Sequence, residues 1–345
     1  MLFNQNTLLS LALAISQVAA EPKHSHPSVE GKQVSSLFKR AGTCSLPSTG
    51  GIVAVQKDGQ NAGWAMHSDQ TCSYGSWCPY ACPPGQLMNQ WDPSVTSYSY
   101  PGSQNGGLYC NENGELEAKR DGSYCVDGAG TVVAKNLAGS NVAICQTVLP
   151  GNEEMLIPTD VDGNSQKTLA VPTPDYWAGT AAHYYINAPG VSVADGCKWG
   201  SVNKAEGNWA PYVAGANQDS SGNTYVKIGW NPIYLESATP FRNTKPTFGI
   251  RITCPDGGCN GAPCEIDPSQ GAVNDITTGS STSGAGGANF CVVTASKGVT
   301  ANIEVFEVGS SKSKRDEGEH QHHHHEHKPL QTTLDIVYTT ETVSN

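Results

Sequence analysis

Twelve cysteines constrain this chain more than any other feature of its sequence. All of them lie between Cys44 and Cys291, and an even number in one extracellular segment predicts up to six disulfides, whose pairing stays open at this stage. Zinc is the alternative, but Cys254, Cys259 and Cys264 have no histidine nearby and no paired C-x-x-C, so we favour disulfides. The cysteines are Cys44, Cys72, Cys78, Cys82, Cys110, Cys125, Cys145, Cys197, Cys254, Cys259, Cys264 and Cys291.

The first forty residues have the pattern of a secretory leader. Leu8 to Ile15 is a short apolar run, and Val18-Ala19-Ala20 supplies the small residues that signal peptidase needs. We therefore expect a signal peptide at 1–20, since the run is too short to anchor the chain in a membrane. Residues 21–40 are polar and end in the dibasic pair Lys39-Arg40, which predicts a pro-segment that is removed before Ala41.

Charge and composition narrow the class of partner. The 345-residue chain carries a net charge of −11, so neither nucleic acid nor an anionic membrane is an expected partner. It has 38 glycines and 21 prolines, which favour turns over long helices. Only 15% of its residues are charged, so the surface must be rich in uncharged polar groups. Such a surface suits an extracellular protein that works among sugars.

Alternating hydrophobic residues predict strands, and no segment of the body shows a helical period. Val226, Ile228 and Trp230 share one face, and Phe248 to Cys254 alternate in the same way, with Arg251 on the other side. We therefore predict an all-β fold, a disulfide-rich β-sandwich or a partly closed barrel with long stapled loops. The other predicted strands are Ile52 to Val55, Thr131 to Ala134, the segment at Tyr184-Tyr185-Ile186, Cys291 to Thr294 and Ile303 to Val308.

Two segments differ in composition from the rest of the predicted domain at 41–308. Thr277 to Gly287 reads TTGSSTSGAGG and is expected to be a flexible loop. Residues 309–345 are charged and rich in histidine, which predicts a disordered tail whose imidazoles could chelate zinc, copper or nickel. Within the domain we predict no metal site and no cofactor.

One cysteine spacing carries a family resemblance. Cys72-x5-Cys78-x3-Cys82-x27-Cys110 resembles the C-x5-C-x3-C-x24-C pattern of the fungal SUN family, with a last gap three residues longer. The blocks CSYGSWCPYACPPGQLMNQW, TAAHYYINAPG and IGWNPIY also resemble that family. The resemblance implies a secreted or wall-associated glycoside hydrolase that acts on β-1,3-glucan or β-glucosides in wall remodelling, septation and cell separation. It assigns no catalytic pair.

A shorter resemblance concerns the fold. The segment Cys259 to Cys264, followed by Asp267, is similar to the C-x-G-x-x-C segment of thaumatin-like proteins. Those proteins are disulfide-rich β-sandwiches with an acidic cleft, and some of them bind or cut β-1,3-glucan. Together with the twelve cysteines, this resemblance makes a thaumatin-like sandwich the leading candidate fold.

Candidate catalytic residues are acids that stand beside aromatic residues. Glycoside hydrolysis uses two carboxyl groups, one of them protonated, and sugar rings stack on aromatic faces. Glu206 and Asp195 rank first because both lie in a polar loop with aromatic neighbours near Cys197. Most acids in such a chain are nevertheless solvated surface charges or turn formers. The lower-ranked candidates are Asp92, Asp175 and Glu236.

The tryptophans are sorted by their sequence neighbours. Trp177, Trp199 and Trp209 lie in polar segments and are the candidate sugar-stacking residues. Trp230 alternates with buried positions and is expected in the core, while Trp77 beside Cys78 is expected to pack on a disulfide. His183 precedes a predicted strand and is expected to be a structural histidine.

Three functional hypotheses follow. The first is a secreted cell-wall glycosidase whose partner is β-glucan, and the second is a wall protein that binds β-glucan without cleaving it. The third is a structural component of the wall. The residue pattern favours contact with sugar but does not separate the first two hypotheses.

Overall fold

The computed structural model describes residues 42–96, 105–147 and 156–309. All of them belong to the larger of two units of the chain, Ala41–Asn345. The predicted signal peptide, the pro-segment and the histidine-rich tail from residue 310 onward lie outside the described residues.

Strands are the dominant regular structure of the described residues, and long turns and loops connect them. The single α-helix, α1, is the four-residue Val193–Gly196, and short 3₁₀ turns occur at Trp177–Gly179, Gly207–Trp209, Ile233–Leu235 and Ala285–Gly287. None of these described helices has the length and apolar character needed to cross a bilayer. The strands are β1 Ser76–Cys78, β2 Gln86–Met88, β3 Leu108–Cys110, β4 Leu116–Glu117, β5 Cys125–Asp127, β6 Val132–Asn136, β7 Val142–Thr147, β8 Leu156–Val161, β9 Gln166–Thr168, β10 Ala182–Ile186, β11 Tyr212–Gln218, β12 Thr224–Trp230, β13 Phe248–Thr253, β14 Cys259–Asn260, β15 Cys264–Ile266, β16 Thr282–Ser283, β17 Asn289–Ala295 and β18 Ala301–Glu307.

Two sheets form a sandwich, which confirms the predicted fold class. The larger sheet has the order β14-β17-β12-β11-β10-β7-β8, with β16 also paired to β17. The smaller sheet has the order β15-β13-β18-β6-β9. All pairs in both sheets are antiparallel except β18 with β6, which are parallel. Strand β18 lies at the centre of the smaller sheet and is the last strand of that sheet in the sequence.

The core lies between these two sheets and follows the period-two pattern of the sequence. Val226, Ile228 and Trp230 of β12 face Ile250 and Ile252 of β13, and all five are buried. Each such buried side chain contributes about 1.5–3 kcal/mol of hydrophobic stabilisation. The indole Nε1 of Trp230 donates to the Asp275 carbonyl at 2.9 Å, so its one polar atom is satisfied. The predicted core position of Trp230 is confirmed.

The N-terminal part, residues 42–128, has a separate small core. Its strands β1 to β5 are two or three residues long, and its buried cluster includes Trp64, Tyr80 and Leu108 together with cysteines. The predicted strand at Ile52 to Val55 is wrong. Val53 makes only an isolated bridge to Ala81, and the backbone of Gln56 turns away at φ 33°.

All twelve cysteines are among the described residues, and none is free. Cys254 bonds to Cys259 and Cys264 bonds to Cys291, which contradicts the zinc alternative. The sulfurs of Cys44, Cys72 and Cys110 lie within 4.8 Å of one another, but each is in a disulfide and offers no thiolate to a metal. The other bonds are Cys44–Cys110, Cys72–Cys78, Cys82–Cys125 and Cys145–Cys197.

The Ser/Thr/Gly tract at Thr277 to Gly287, which is predicted to be a flexible loop, contains a bridge, the short strand β16 and a 3₁₀ turn. Thr278 forms a bridge with Glu265, and β16 pairs with β17. The Ser283 hydroxyl donates to Asn289 Oδ1 at 2.6 Å. Backbone pairing and side-chain hydrogen bonds hold this tract against the edge of the larger sheet.

A row of charges crosses the outer face of the smaller sheet. In register, Glu265 of β15, Arg251 of β13, Glu304 of β18 and Lys135 of β6 are neighbours on adjacent strands. Arg251 Nε donates to Glu304 Oε2 at 2.8 Å, and Arg251 Nη1 lies 3.7 Å from Glu265 Oε2. Glu304 also accepts from the Thr253 hydroxyl at 2.9 Å. Glu304 is only 5% exposed, so its charge depends on these partners.

Removing the Cys145–Cys197 bond should destabilise the domain strongly. The bond joins residues 52 apart in sequence, and the chain-entropy relation gives a loss of about 4 kcal/mol in the free energy of unfolding when both cysteines become alanine. The matched control is removal of Cys254–Cys259, which spans 5 residues and should cost about 2 kcal/mol. Chemical denaturation measures both, and a larger loss in the control would contradict the expectation.

Arg251→Met should be much more damaging than Lys135→Met. Arg251→Met leaves the buried carboxylates of Glu265 and Glu304 without their shared cation and should lower the free energy of unfolding by about 3–5 kcal/mol. Lys135→Met removes a cation that is 3.5 Å from Glu304 and over a third exposed, and should cost less than about 1 kcal/mol. Thermal and urea unfolding of both variants test this. Equal losses would mean that the charge row does not hold the strands together.

Candidate functional site

The Cys197 loop, residues 192–210, is fixed on the outer face of the larger sheet. Cys197 bonds to Cys145 of β7, and Tyr185, Ala210 and Val213 bury the disulfide. At the start of the loop, Ser192 caps α1: its Oγ accepts from the backbone N–H of Asp195 at 3.1 Å and donates to Asp195 Oδ2 at 2.7 Å. The loop is thus a rigid part of the sandwich, although it contains little regular structure.

Asn187, at the end of β10, fixes the second half of the loop. It is fully buried, its Nδ2 donates to the Ala143 carbonyl at 3.0 Å, and its Oδ1 accepts from the N–H of Gly207 at 2.9 Å. Gly207 has φ 64°, and a Cβ there would lie 2.4 Å from the Lys198 carbonyl oxygen. Only glycine fits this close approach of the two halves of the loop.

The two first-ranked acids are both presented by this loop, and each is close to a lysine. Asp195 Oδ1 lies 3.5 Å from Lys198 Nζ, and Glu206 Oε2 lies 3.6 Å from Lys204 Nζ. The hydrogen bond from Ser192, followed by the charge of Lys198, lowers the pKa of Asp195 below its ordinary value. The Asp195 side chain is 54% exposed and that of Glu206 is 26% exposed. Asp195 is therefore an ionised, solvated carboxylate, and Glu206 is the more enclosed of the two.

The predicted stacking residues Trp199 and Trp209 also belong to the Cys197 loop. Trp199 is one of the two large hydrophobic residues that are clearly exposed among the described positions. Trp209 is half-buried and makes an edge contact with Phe241 at 6.4 Å between ring centres. Phe241 stacks on Tyr234, and Tyr234 lies 6.1 Å from Trp230 in the core. Trp199 is thus accessible from solvent, while Trp209 connects the loop to the core.

Trp177 lies in a different environment from the other two tryptophans. It is 4% exposed, and its Nε1 donates to the Val95 carbonyl at 3.1 Å. It belongs to a small buried cluster in which Trp91 meets Tyr176 edge-on at 5.5 Å. The polar sequence around Trp177 suggested a surface position, but the ring has no face left for a sugar.

The lower-ranked acids are held in local turns. Asp92 Oδ1 accepts from the backbone N–H of Ser94 at 2.9 Å and from its hydroxyl at 2.7 Å. Asp175 accepts from the Thr173 hydroxyl at 2.6 Å, which lowers its pKa. The structure brings these two acids to the same aromatic cluster, since Asp92 follows Trp91 and Asp175 precedes Tyr176. Glu236 is exposed at the end of a 3₁₀ turn.

Two buried acids, Glu265 and Glu304, were missed by reasoning from neighbours in sequence. Neither stands beside a tryptophan or tyrosine in the chain, and only the strand register brings both to Arg251. The sequence signal that could have pointed to them is Arg251, whose position in the alternating strand places it on the outer face, where it needs acidic partners. The carboxylate of Glu304 already contacts Arg251, Thr253 and Lys135. We therefore interpret Glu304 as a structural residue and not as a catalytic one.

His183 lies on the outer face of the larger sheet, in one register row with Gly215 and Lys227. Its ring meets Tyr185 edge-on at 4.8 Å. Burial, and to a smaller extent the charge of Lys227, lower the pKa of His183 to about 4. The same burial lowers the pKa of Lys227 to about 8. The expected structural role of His183 agrees with this setting.

His183 should make the protein less stable as the pH falls from 6.5 to 4. In that window the unfolded chain protonates His183 and the folded chain does not, so protonation favours unfolding by up to roughly 2–3 kcal/mol. His183→Gln should flatten the dependence of the unfolding free energy on pH across this window, as measured by urea titrations. His67→Gln is the matched control, and equal slopes in wild type and His183→Gln would contradict the expectation.

Comparison with known proteins agrees with the sequence patterns. A family profile described as Beta-glucosidase (SUN family) matches residues 39–293. The chain is 64% identical over 285 residues to the uncharacterized protein YMR244W of Saccharomyces cerevisiae. This alignment covers 81% of this chain and 80% of that protein. It is 38% identical to the probable secreted beta-glucosidase UTH1 of the same yeast, over 72% of this chain and 68% of that protein.

A third relative is much longer. The probable secreted beta-glucosidase adg3 of Schizosaccharomyces pombe is 52% identical over 76% of this chain, but the match spans only 23% of adg3. No solved structure matches the chain, so the thaumatin-like arrangement stays a prediction. The relatives' names confirm the predicted secretion, and the extent of the profile match confirms the family: this chain is a secreted member of the SUN family of β-glucosidase-like proteins.

Proposed function

We propose that this protein is a glycosidase of the cell wall that acts on β-1,3-linked glucan during wall remodelling, septation and cell separation. The observation that carries the proposal is the Cys197 loop, which presents the carboxyl groups of Asp195 and Glu206 with the indole of Trp199 on one disulfide-anchored frame. Loops held by a rigid sandwich are where binding and catalytic residues concentrate. The family name supports glucoside chemistry.

The two acids differ in exposure, and we assign them different roles in glycoside hydrolysis. One carboxyl must stay ionised, as nucleophile or as base, and the other must deliver a proton to the leaving oxygen. The lowered pKa of Asp195 suits the ionised role and excludes it as the acid at neutral pH. Glu206 is the less exposed carboxyl, and we assign it the role of general acid.

We assign the sugar-binding role to the exposed indole of Trp199. The flat C–H face of a glucose ring packs on an aromatic ring, and Trp199 is available for such a contact from solvent. Trp209 would support the loop through its contact with Phe241, so that its removal would affect the loop as well as the ligand.

A second candidate function is β-glucan binding without cleavage. It is favoured by the lysines, because Lys198 and Lys204 stand beside the two acids and each pair is partly neutralised. In this case the acids and lysines would hydrogen-bond to sugar hydroxyls.

Glu206→Gln should lower reducing-sugar release from laminarin by at least about 100-fold, because general acid catalysis is worth that much. Asp195→Asn should do the same, while both variants should still bind insoluble β-1,3-glucan. Asp256→Asn is the matched control, since Asp256 is an exposed acid outside the loop. Asp92→Asn, Asp175→Asn and Glu236→Gln in the same assay test the lower-ranked acids.

The outcomes separate the two functions. Full activity of Glu206→Gln and Asp195→Asn would overturn the site assignment. Binding without any release by the wild type would favour the second candidate. Trp199→Ala should weaken binding under either function.

A further inference from the structure

We infer that the N-terminal part of the domain carries a second glucan-binding surface, built on Trp77 and Tyr109 and separate from the Cys197 loop. The choice of β-glucan as its ligand rests on the proposed function, whereas the surface itself rests on the geometry of residues 66–77 and 109–119.

Trp77 and Tyr109 stand on the side of their strands opposite the disulfide core. They are direct partners in the β1–β3 register, and their ring centres are 5.3 Å apart with planes tilted by 54°. Their strand neighbours Cys78, Leu108 and Cys110 point into the buried cluster, to which neither ring belongs. The expectation that Trp77 packs on a disulfide is therefore not met. Both rings are half-buried and form a partly open aromatic surface.

A groove lies directly beside this aromatic pair. It has a volume of about 490 Å³, and Trp77 forms one wall. Asp69, Gln70, Thr71 and Ser76 supply carboxylate, amide and hydroxyl groups along the remaining walls. At Gly75 a Cβ would meet no atom within 4 Å, so the groove is open at that point.

The chemistry of the groove fits a neutral polysaccharide. An aromatic face beside several uncharged polar groups offers both contacts that a sugar ring needs, stacking for its C–H face and hydrogen bonds for its hydroxyls. Asp69 is the one acid in the wall, and it contacts His67 Nδ1 at 2.5 Å. Beside Tyr109, Lys119 is paired with Glu117 and lies 5.1 Å above the ring. No excess of positive charge attracts an anion here.

Disulfides hold the groove, as they hold the Cys197 loop. Cys72–Cys78 closes the turn that carries Trp77, and Cys44–Cys110 fixes β3 beneath Tyr109. Gln56 of the same N-terminal part donates from Nε2 to the Cys197 carbonyl at 2.6 Å. This contact links the N-terminal part, which carries the groove, to the Cys197 loop. If one glucan chain reaches both surfaces, the two linked contacts raise the overall affinity above that of either one.

The test uses the full secreted chain, with retention on insoluble β-1,3-glucan and sugar release from a short soluble β-1,3-glucan oligosaccharide as two readouts. Trp77→Ala should weaken retention by about tenfold or more while release changes less than twofold. Trp77→Phe and Tyr109→Phe keep an aromatic ring and should retain most of the binding. Val53→Ala is the matched control, because Val53 is an exposed hydrophobic residue of the same N-terminal part and does not line the groove.

Thermal unfolding of each variant excludes misfolding, and Trp77→Phe separates loss of the ring from loss of the fold. Retention of Trp77→Ala equal to wild type would overturn the second surface and leave the proposed glycosidase standing. Tryptophan-dependent retention without sugar release by the wild type would support the surface and overturn the glycosidase. Retention on chitin or mannan in place of glucan would overturn the ligand class.

Discussion

The structure depends on disulfides in the part of the domain where the strands are too short to be stable by their own hydrogen bonds. The strands of residues 42–128 are two or three residues long, which is below the length at which a ladder holds by itself. Three disulfides, Cys44–Cys110, Cys72–Cys78 and Cys82–Cys125, supply the missing constraint by limiting the unfolded chain. The buried cluster of that part contains five of the six cysteines in these bonds, together with Trp64 and Tyr80. A large area of irregular backbone can therefore be presented in one conformation.

The sandwich, in contrast, is stabilised by ordinary hydrophobic packing. Its two sheets bury a continuous core and leave their outer faces for other purposes. One outer face carries the Arg251 charge row, and the other carries the Cys197 loop. The loop is joined to the core through Trp209, Phe241 and Tyr234, so the position of its acids is tied to the packing of Trp230. Site geometry and core stability are coupled through this aromatic chain.

The fold class was readable from the sequence because the period of the hydrophobic residues is local information. Val226 to Trp230 and Phe248 to Ile252 have the predicted burial, and their strands are β12 and β13. Ile52 to Val55 has the same composition but no partner strand, and composition alone does not report a partner. The pairing of the cysteines was open for the same reason, since it depends on which segments meet in space.

The candidate site was only partly predictable. The Cys197 loop could be found because its acids and tryptophans are close in sequence. Trp177 has equally polar neighbours, but they surround a ring that is buried against Trp91 and Tyr176. Glu265 and Glu304 lie 39 residues apart, so only strand register could bring them to one arginine. The half-exposed pair of Trp77 and Tyr109 is likewise a product of register.

The position of β18 has a consequence for how the protein is made. A secreted chain enters the lumen with its N-terminus first, and the three disulfides of the N-terminal part can all close once residue 125 has emerged. The smaller sheet cannot, because its middle strand, Ala301–Glu307, is the last to arrive and must insert between β13 and β6. Until then the smaller sheet lacks its middle strand and covers the apolar face of the larger sheet incompletely. During synthesis we therefore expect an intermediate whose N-terminal part is already cross-linked while the smaller sheet still lacks its central strand.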